Sequence, residues 1–199
     1  MIDMTQRKFR FIPCTLSGAT IIEPRVFGDE RGFFLESYTR KDMESIGIQE
    51  EFVQDNHSRS AKGVLRGLHF QYPYPQSKLI RAVRGGIFDV IVDIRRGSPT
   101  YGRYEAFSLT EENFRMLYFP AGFAHGFLAL EDHTEILYKT GEYYHPDAES
   151  GIRWNDPDLA IPWPLQEHGI ERPVLSEKDA CLPLLSELDS RFRYLEADR

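Results

Sequence analysis

The stretch from Val64 to Gln71, VLRGLHFQ, sets an arginine and a histidine inside an otherwise apolar, strand-like run. A second histidine, His125, lies in FPAGFAHGFLAL, in the pattern Pro120-x-Gly122-x-x-His125. An imidazole with its ordinary pKa near ~6.5 can take or give a proton at neutral pH, and when neutral it can equally ligate a metal. The plain alternative is a hydrogen-bonded core histidine beside a surface arginine. Which one holds depends on the other groups that reach the same place.

Such groups need a rigid support. Most of the chain reads as short strands punctuated by Gly and Pro: GATIIEP, RGFFLESY, EEFVQDN, VLRGLHFQ, KLIRAVRG, GIFDVIVDI, RYEAFSLT, MLYFPAG, HGFLAL and TEILYKTGEYY. Their regular spacing predicts an all-β sandwich or barrel. In GIFDVIVDI, Phe88, Val90, Val92 and Ile94 share one face, with Asp89 and Asp93 alternating on the other. Helical pattern is confined to TRKDMESIG, residues 39–47, and to the C-terminal LPLLSELDSRFRYLEADR. Residues 145–175, rich in Pro and Asp, read as an ordered loop wrapping the barrel. With no internal repeat or linker, the chain is expected to form one domain over 1–199, with a core of about 10–180 and an extension over 181–199.

Composition narrows the classes. Hydrophobic residues at 41% and charged residues at 28% predict a folded globular chain, and 14 Phe with 10 Tyr favour β structure. A formal net charge of −7 argues against a nucleic-acid-coating surface but leaves room for a local anion site. Cys14 and Cys181 lie far apart and form no CxxC pair, so neither a disulfide framework nor a zinc site is expected, and a reducing cytoplasm is the default location. There is no run of ~18 apolar residues and the N-terminus lacks an apolar signal segment, so neither membrane span nor signal peptide is expected.

The pattern around His125 resembles the later motif of cupins, small double-sheet β-barrels in which it supplies a metal ligand. The earlier cupin motif is His-x-His followed by glutamate, and the corresponding place here reads His69-Phe70-Gln71. A divalent metal in such a barrel needs three or four N or O ligands. One imidazole, His125 and a neutral amide make a poor set, so the barrel is expected to be metal-free. The His69 lone pair is then available for general-base work.

Eight segments in order carry a wider resemblance: DERGFFLESY, FVQDNHSRS, GVLRGLHFQ, GIFDVIVDIRRGSPTYG, FPAGFAHGFLAL, LYKTGEYYHPDAESGIRWNDPDLAI, WP and LSEKDA. Together, from about residue 10 to 180, they resemble the family of dTDP-4-dehydrorhamnose 3,5-epimerases. The resemblance implies a cupin-type double-sheet jelly-roll barrel with a few short peripheral helices, and an isomerase of dTDP-L-rhamnose biosynthesis that uses no cofactor. The implied substrate is dTDP-4-dehydro-6-deoxy-glucose, inverted at C3 and C5 to dTDP-4-dehydro-L-rhamnose. Both carbons flank the C4 ketone, so one site can serve both. That chemistry requires a base on one face of the sugar, an acid on the other, and a cationic or hydrogen-bonding group at O4 to stabilise the enolate.

The resemblance assigns these roles residue by residue. His69 matches the base and Asp179 the carboxylate that orients it and stabilises the imidazolium. Tyr138 matches the acid, Lys78 the lysine near the sugar oxygen, and His125 the histidine beside the sugar. Arg31, Glu36, Gln54, Asn56, Arg66, Tyr144, Glu149 and Lys178 match positions that bind the nucleotide. The arginines suit diphosphate because a guanidinium donates two parallel hydrogen bonds. Phe33 and Phe34 are candidates for contact with thymine, with core packing the expected role of at least one of them. The resemblance also implies a homodimer in which N-terminal strands cross to the neighbour, so that Arg31 and Glu36 serve the partner's pocket.

Arg66 and His69 are an odd number of residues apart, so strict alternation points them to opposite faces. If both reach one pocket, Gly67 is the natural place for a bulge or bend. Three rival functions remain at this level. A single-carbon epimerase on a related nucleotide keto-sugar would share the barrel and the base. A metal-dependent cupin is disfavoured by His69-Phe70-Gln71, and a non-catalytic sugar binder by the joint presence of His69, Tyr138 and Asp179.

Overall fold

Thirteen strands form the framework of residues 8–195, the part of the chain that the structure, a computed structural model, describes. In order they are β1 (Phe9–Pro13), β2 (Thr20–Pro24), β3 (Val26–Asp29), β4 (Gly32–Leu35), β5 (Gln54–Ser60), β6 (Leu65–Gln71), β7 (Lys78–Arg84), β8 (Gly86–Asp93), β9 (Tyr104–Thr110), β10 (Met116–Phe119), β11 (Phe123–Ala129), β12 (Thr134–Thr140) and β13 (Glu149–Gly151). A six-stranded sheet, β1-β2-β10-β7-β12-β5, and a five-stranded sheet, β13-β6-β11-β8-β9, form the double-sheet jelly roll, with β3 and β4 as a separate hairpin. All the pairings between these strands are antiparallel.

The core lies in three layers. Between the sheets, Ile80, Ala82, Leu117 and Ile136 of one meet Ile87, Ile91 and Phe127 of the other. The outer face of the five-stranded sheet presents Leu65, Leu68, Val90, Val92 and Leu128, and the wrapping loop covers it with Ile152, Leu159, Ile161 and Trp163. On the outer face of the six-stranded sheet, Ile22, Leu79 and Met116 pack under Met43 of helix α1 (Arg40–Glu44) and Ile48. β8 is therefore buried on both faces. Asp89 and Asp93 lie on the inner face with Ile87 and Ile91, fully buried, rather than on a solvated one.

The apolar face of β8 that carries Val90 and Val92 and the covering loop agree with the strand pattern of the sequence, and the helix at 39–47 is present, shortened to one turn. Three details differ. The strand expected in EEFVQDN begins only at Gln54 and runs on to Ser60. A short helix α2 (Glu177–Ala180) forms where none was expected, its first turn capped by Ser176, whose hydroxyl accepts from the Asp179 amide at 3.0 Å. The C-terminal helix is absent from the described residues: after a 3₁₀ turn at Leu185–Glu187 the chain is extended. Tertiary contacts of Ser190 and Phe192, both buried, override the local helical preference. No helix among the described residues is long and apolar enough to cross a membrane.

Candidate active site

One end of the space between the sheets opens as a cavity of about 380 Å³. It is lined by His69, Tyr138 and Asp179 together with Gln54, Asn56, Arg66, Lys78, His125, Tyr144, Glu149 and Lys178. Of the residues expected at a site, only Arg31 and Glu36 are missing from it.

The strand that carries His69 breaks its alternation as expected. His69 stands opposite His125 and Arg66 opposite Phe127, so Gly67 and Leu68 of β6 face the single residue Gly126 of β11. This one-residue bulge turns Arg66 and His69 to the same cavity. Gly67 sits at φ +122, and its peptide bond to Leu68 is cis. A Cβ at residue 67 would lie 2.5 Å from Gly126 Cα and 2.8 Å from the His125 carbonyl oxygen, so the close approach of the two backbones requires glycine.

His69 Nε2 is hydrogen-bonded to Oδ1 of Asp179. α2 holds that carboxylate, which is buried. Burial pushes the Asp179 carboxyl up, but the hydrogen bond to His69, the charge of that ring and the Ser176 hydroxyl outweigh it, leaving the group below its ordinary range. The other imidazole nitrogen, Nδ1, lies 3.8 Å from Glu149 Oε1. Glu149 Oε2 accepts from the Tyr144 hydroxyl at 2.8 Å and from the Lys178 ammonium. Against the effect of burial, these two donors keep the Glu149 carboxyl ionised below its ordinary range.

Across the cavity, β12 and β7 supply Tyr138 and Lys78. Burial raises the Tyr138 phenol, with Arg66 opposing the shift, so the hydroxyl keeps its proton at neutral pH. The Lys78 ammonium lies 5.9 Å from the centre of the Tyr138 ring. Burial lowers Lys78 to about 8, although Asp89 and Glu149 pull the other way. His125 is buried, and its Nε2 is 2.7 Å from Asp89 Oδ1. Desolvation outweighs that carboxylate and lowers the His125 pKa.

Asp89 is the functional-site residue that the sequence pattern did not single out. Its signal was present as a carboxylate in phase with Ile87 and Ile91, but recognising it required knowing that β11 lies beside β8. Gln71, in the place of the second cupin histidine, has another task. Its amide nitrogen donates to the Tyr143 carbonyl at 3.0 Å, and its oxygen accepts from the His145 amide at 2.7 Å. Gln54 accepts from the Tyr144 amide at 3.1 Å, so two glutamines pin the loop that carries Tyr144. With Gln71 committed to this loop, His69 to Asp179 and His125 to Asp89, the residues present do not fit a cupin metal.

Arg31 and Glu36 lie away from this cavity. Arg31, at the tip of the β3–β4 hairpin, pairs with Asp29, and Glu36 pairs with Lys8 at 2.7 Å. Phe33 and Phe34 are not core residues in this chain: they are 60% and 64% exposed, beside Phe27 at 49%.

Residues 13–187 match the family of dTDP-4-dehydrorhamnose 3,5-epimerases. A dTDP-4-dehydrorhamnose 3,5-epimerase from Methanothermobacter thermautotrophicus is 52% identical over 172 residues, covering 86% of this chain and 92% of the relative. One from Pseudomonas aeruginosa is 56% identical over 160 residues, covering 80% and 86%. Among solved structures, the dTDP-6-deoxy-D-glucose-3,5-epimerase of Legionella pneumophila in complex with dTDP-4-keto-L-rhamnose superposes with a TM-score of 0.89 at 47% identity, covering 94% of this chain and 99% of that one. The 3'-monoepimerase ChmJ of Streptomyces bikiniensis, in complex with dTDP-quinovose, gives 0.80 at 35% identity, covering 88% and 87%.

Proposed function

Because the chain belongs to the dTDP-4-dehydrorhamnose 3,5-epimerase family, we propose that it converts dTDP-4-dehydro-6-deoxy-glucose to dTDP-4-dehydro-L-rhamnose by inverting C3 and C5 in this cavity. One observation carries the reading: the His69–Asp179 pair and Tyr138 project from opposite sheets into the same space. A sugar ring lying between the sheets then meets a base on one face and an acid on the other.

The chemistry follows from the geometry. With Nε2–H donated to Asp179, the Nδ1 lone pair of His69 takes the proton from the carbon next to the C4 ketone. The resulting imidazolium is stabilised by the Asp179 carboxylate. Electrons from the broken C–H bond move to O4, where the Lys78 ammonium supplies positive charge and a hydrogen bond to the enolate, while the His125 ring, its Nε2–H donated to Asp89, lines the pocket beside the sugar. Tyr138 returns a proton to the opposite face of the carbon, and the configuration inverts. The same cycle at the other α-carbon completes the product, after His69 and Tyr138 have exchanged their protons with solvent. Arg66 and Lys178 bind the diphosphate, while Gln54, Asn56, Tyr144 and Glu149 hold the nucleoside side of the pocket. Every group used is a side chain, so no cofactor takes part.

The exposed apolar hairpin supports a homodimer in which β3 and β4 cross to the neighbour and place Arg31 and Glu36 at its cavity. Sedimentation tests this point: the wild type should run as a dimer, and Phe33→Ser should shift it towards monomer. The unpaired cysteines Cys14 and Cys181 suit a reducing cytoplasm.

The reaction itself is tested by incubating the protein with the keto-sugar nucleotide in D2O. Deuterium at both C3 and C5 is expected. Deuterium at one carbon only would make the enzyme a monoepimerase, like the Streptomyces bikiniensis neighbour that shares the fold. No exchange with normal binding would leave a binding protein.

A further inference from the structure

The C-terminal segment after residue 187 lies beyond the stretch matched by the family, yet it is built into the barrel next to the active-site strand. The Ser190 hydroxyl donates to the Ile94 carbonyl, and the backbone of Arg96 donates to Phe192 O at 2.9 Å and accepts from Tyr194 N at 3.0 Å. The segment thereby runs parallel to the chain at Arg96. The Arg95 guanidinium is stacked between the rings of Phe123, at 4.4 Å, and Tyr194, at 5.1 Å, which locks the tail to β11 two residues before His125.

These ties deliver one ring to a particular place. Phe192 is buried, edge-on to Phe70 at 5.9 Å and to Tyr72 at 5.4 Å, the residues that follow His69 and Gln71. Phe192 also lines a gap of about 10 Å³ that has His69, Gln71 and Lys78 on its other side. That gap is too small for more than a single water. The ring thus packs against the strand that carries His69.

We infer that Phe192, seated by the C-terminal tail, is a positioning residue that fixes the β6 segment carrying His69, and with it the His69–Asp179 pair, by packing on Phe70 and Tyr72. It does not line the cavity itself, so it acts on turnover and not on binding. The kinetic part rests on the epimerase reading; the packing part does not.

The test follows the His69 Nε2 proton by NMR in wild type, Phe192→Ala and Phe192→Leu, alongside kcat, KM and dTDP affinity. Phe192→Ala should exchange that proton with solvent about tenfold faster or more. It should also lower kcat roughly tenfold to a hundredfold, because the base is no longer held in place, with dTDP affinity within about twofold of wild type. Phe192→Leu, which keeps an apolar packing partner, should recover most of both. Unchanged exchange in folded Phe192→Ala overturns the inference, as does a loss of dTDP affinity as large as the loss of kcat. If Phe192→Ala does not fold, Ser190→Ala serves, since it only loosens the tail; it should accelerate the exchange, and wild-type exchange in it overturns the inference. A wild type inactive on the keto-sugar would remove the epimerase reading, while proton exchange would still decide the role of Phe192.

Discussion

Replacing Gly67 by alanine should unseat the base without touching any catalytic side chain. The added Cβ would stand 2.5 Å from Gly126 Cα and 2.8 Å from the His125 carbonyl oxygen. Both are backbone atoms of β11, which is paired with β6 on one side and β8 on the other, so neither can rotate away. Forcing a methyl group into such a contact costs about 1–3 kcal/mol. Holding a non-glycine residue at a positive φ such as +122 adds roughly 1–3 kcal/mol. The total, about 2–6 kcal/mol, is a large part of a typical stability of ~5–15 kcal/mol. At about 2–4 °C per kcal/mol for a chain of this size, the melting temperature should fall by roughly 4–24 °C. Gly169→Ala is the control: its φ is +65 but no atom lies within 4 Å of the added Cβ, so only the conformational cost of about 1–2 kcal/mol applies. Calorimetry and a turnover assay on both variants decide the matter. Gly67→Ala should melt well below Gly169→Ala and turn over poorly even when fully folded. Equal melting temperatures with wild-type turnover would refute the claim that the bulge sets the geometry of Arg66 and His69.

Two further predictions concern pH. The folded-state Asp179 carboxyl titrates below its unfolded value of ~3.9, because the His69 hydrogen bond and charge outweigh burial. Its contribution to stability is therefore complete above about pH 4 and lost as pH falls through the lower folded value. Asp179→Asn should flatten the acid limb of melting temperature against pH and cut turnover by roughly 10²–10⁴-fold; an unchanged acid limb would contradict this. Lys78, lowered to about 8 by burial, loses its charge on the alkaline side of neutrality. Accordingly kcat/KM should decline above about pH 8, and Lys78→Arg, which stays charged, should shift that limb upward; a flat wild-type profile from about pH 7 to 10 would contradict the role at O4.

Much of the fold was legible in the sequence because it depends on local pattern, whereas most of the cavity residues were reached only through the resemblance of ordered motifs to a known family. Period-two alternation located most of the strands, and the odd spacing of Arg66 and His69 across Gly67 pointed to the bulge now seen opposite Gly126. The unread parts depend on long-range contact. Asp89 alternates with the Val90 and Val92 face, and alternation alone cannot tell that the six-stranded sheet covers the face on which it lies. The tail from Leu182 has helical composition, but Ser190 and Phe192 are claimed by Ile94, Arg96, Phe70 and Tyr72 from distant parts of the chain. α2 is too short for periodicity to reveal, and only its capping residue, Ser176, marks it. Arg31, at the tip of the β3–β4 hairpin, and Glu36, just after β4, pair with Asp29 and Lys8 outside the cavity, a placement that alternation does not reveal.

The claim at the centre of this account is that His69 removes the proton next to the ketone while other residues bind the nucleotide. It is tested most directly by following deuterium wash-in from D2O into the keto-sugar nucleotide with His69→Ala, with dTDP affinity measured on the same sample. No deuterium is expected at C3 or C5, with an affinity for dTDP close to that of wild type. Deuterium entering either carbon at the wild-type rate would contradict the claim and move the base elsewhere in the cavity.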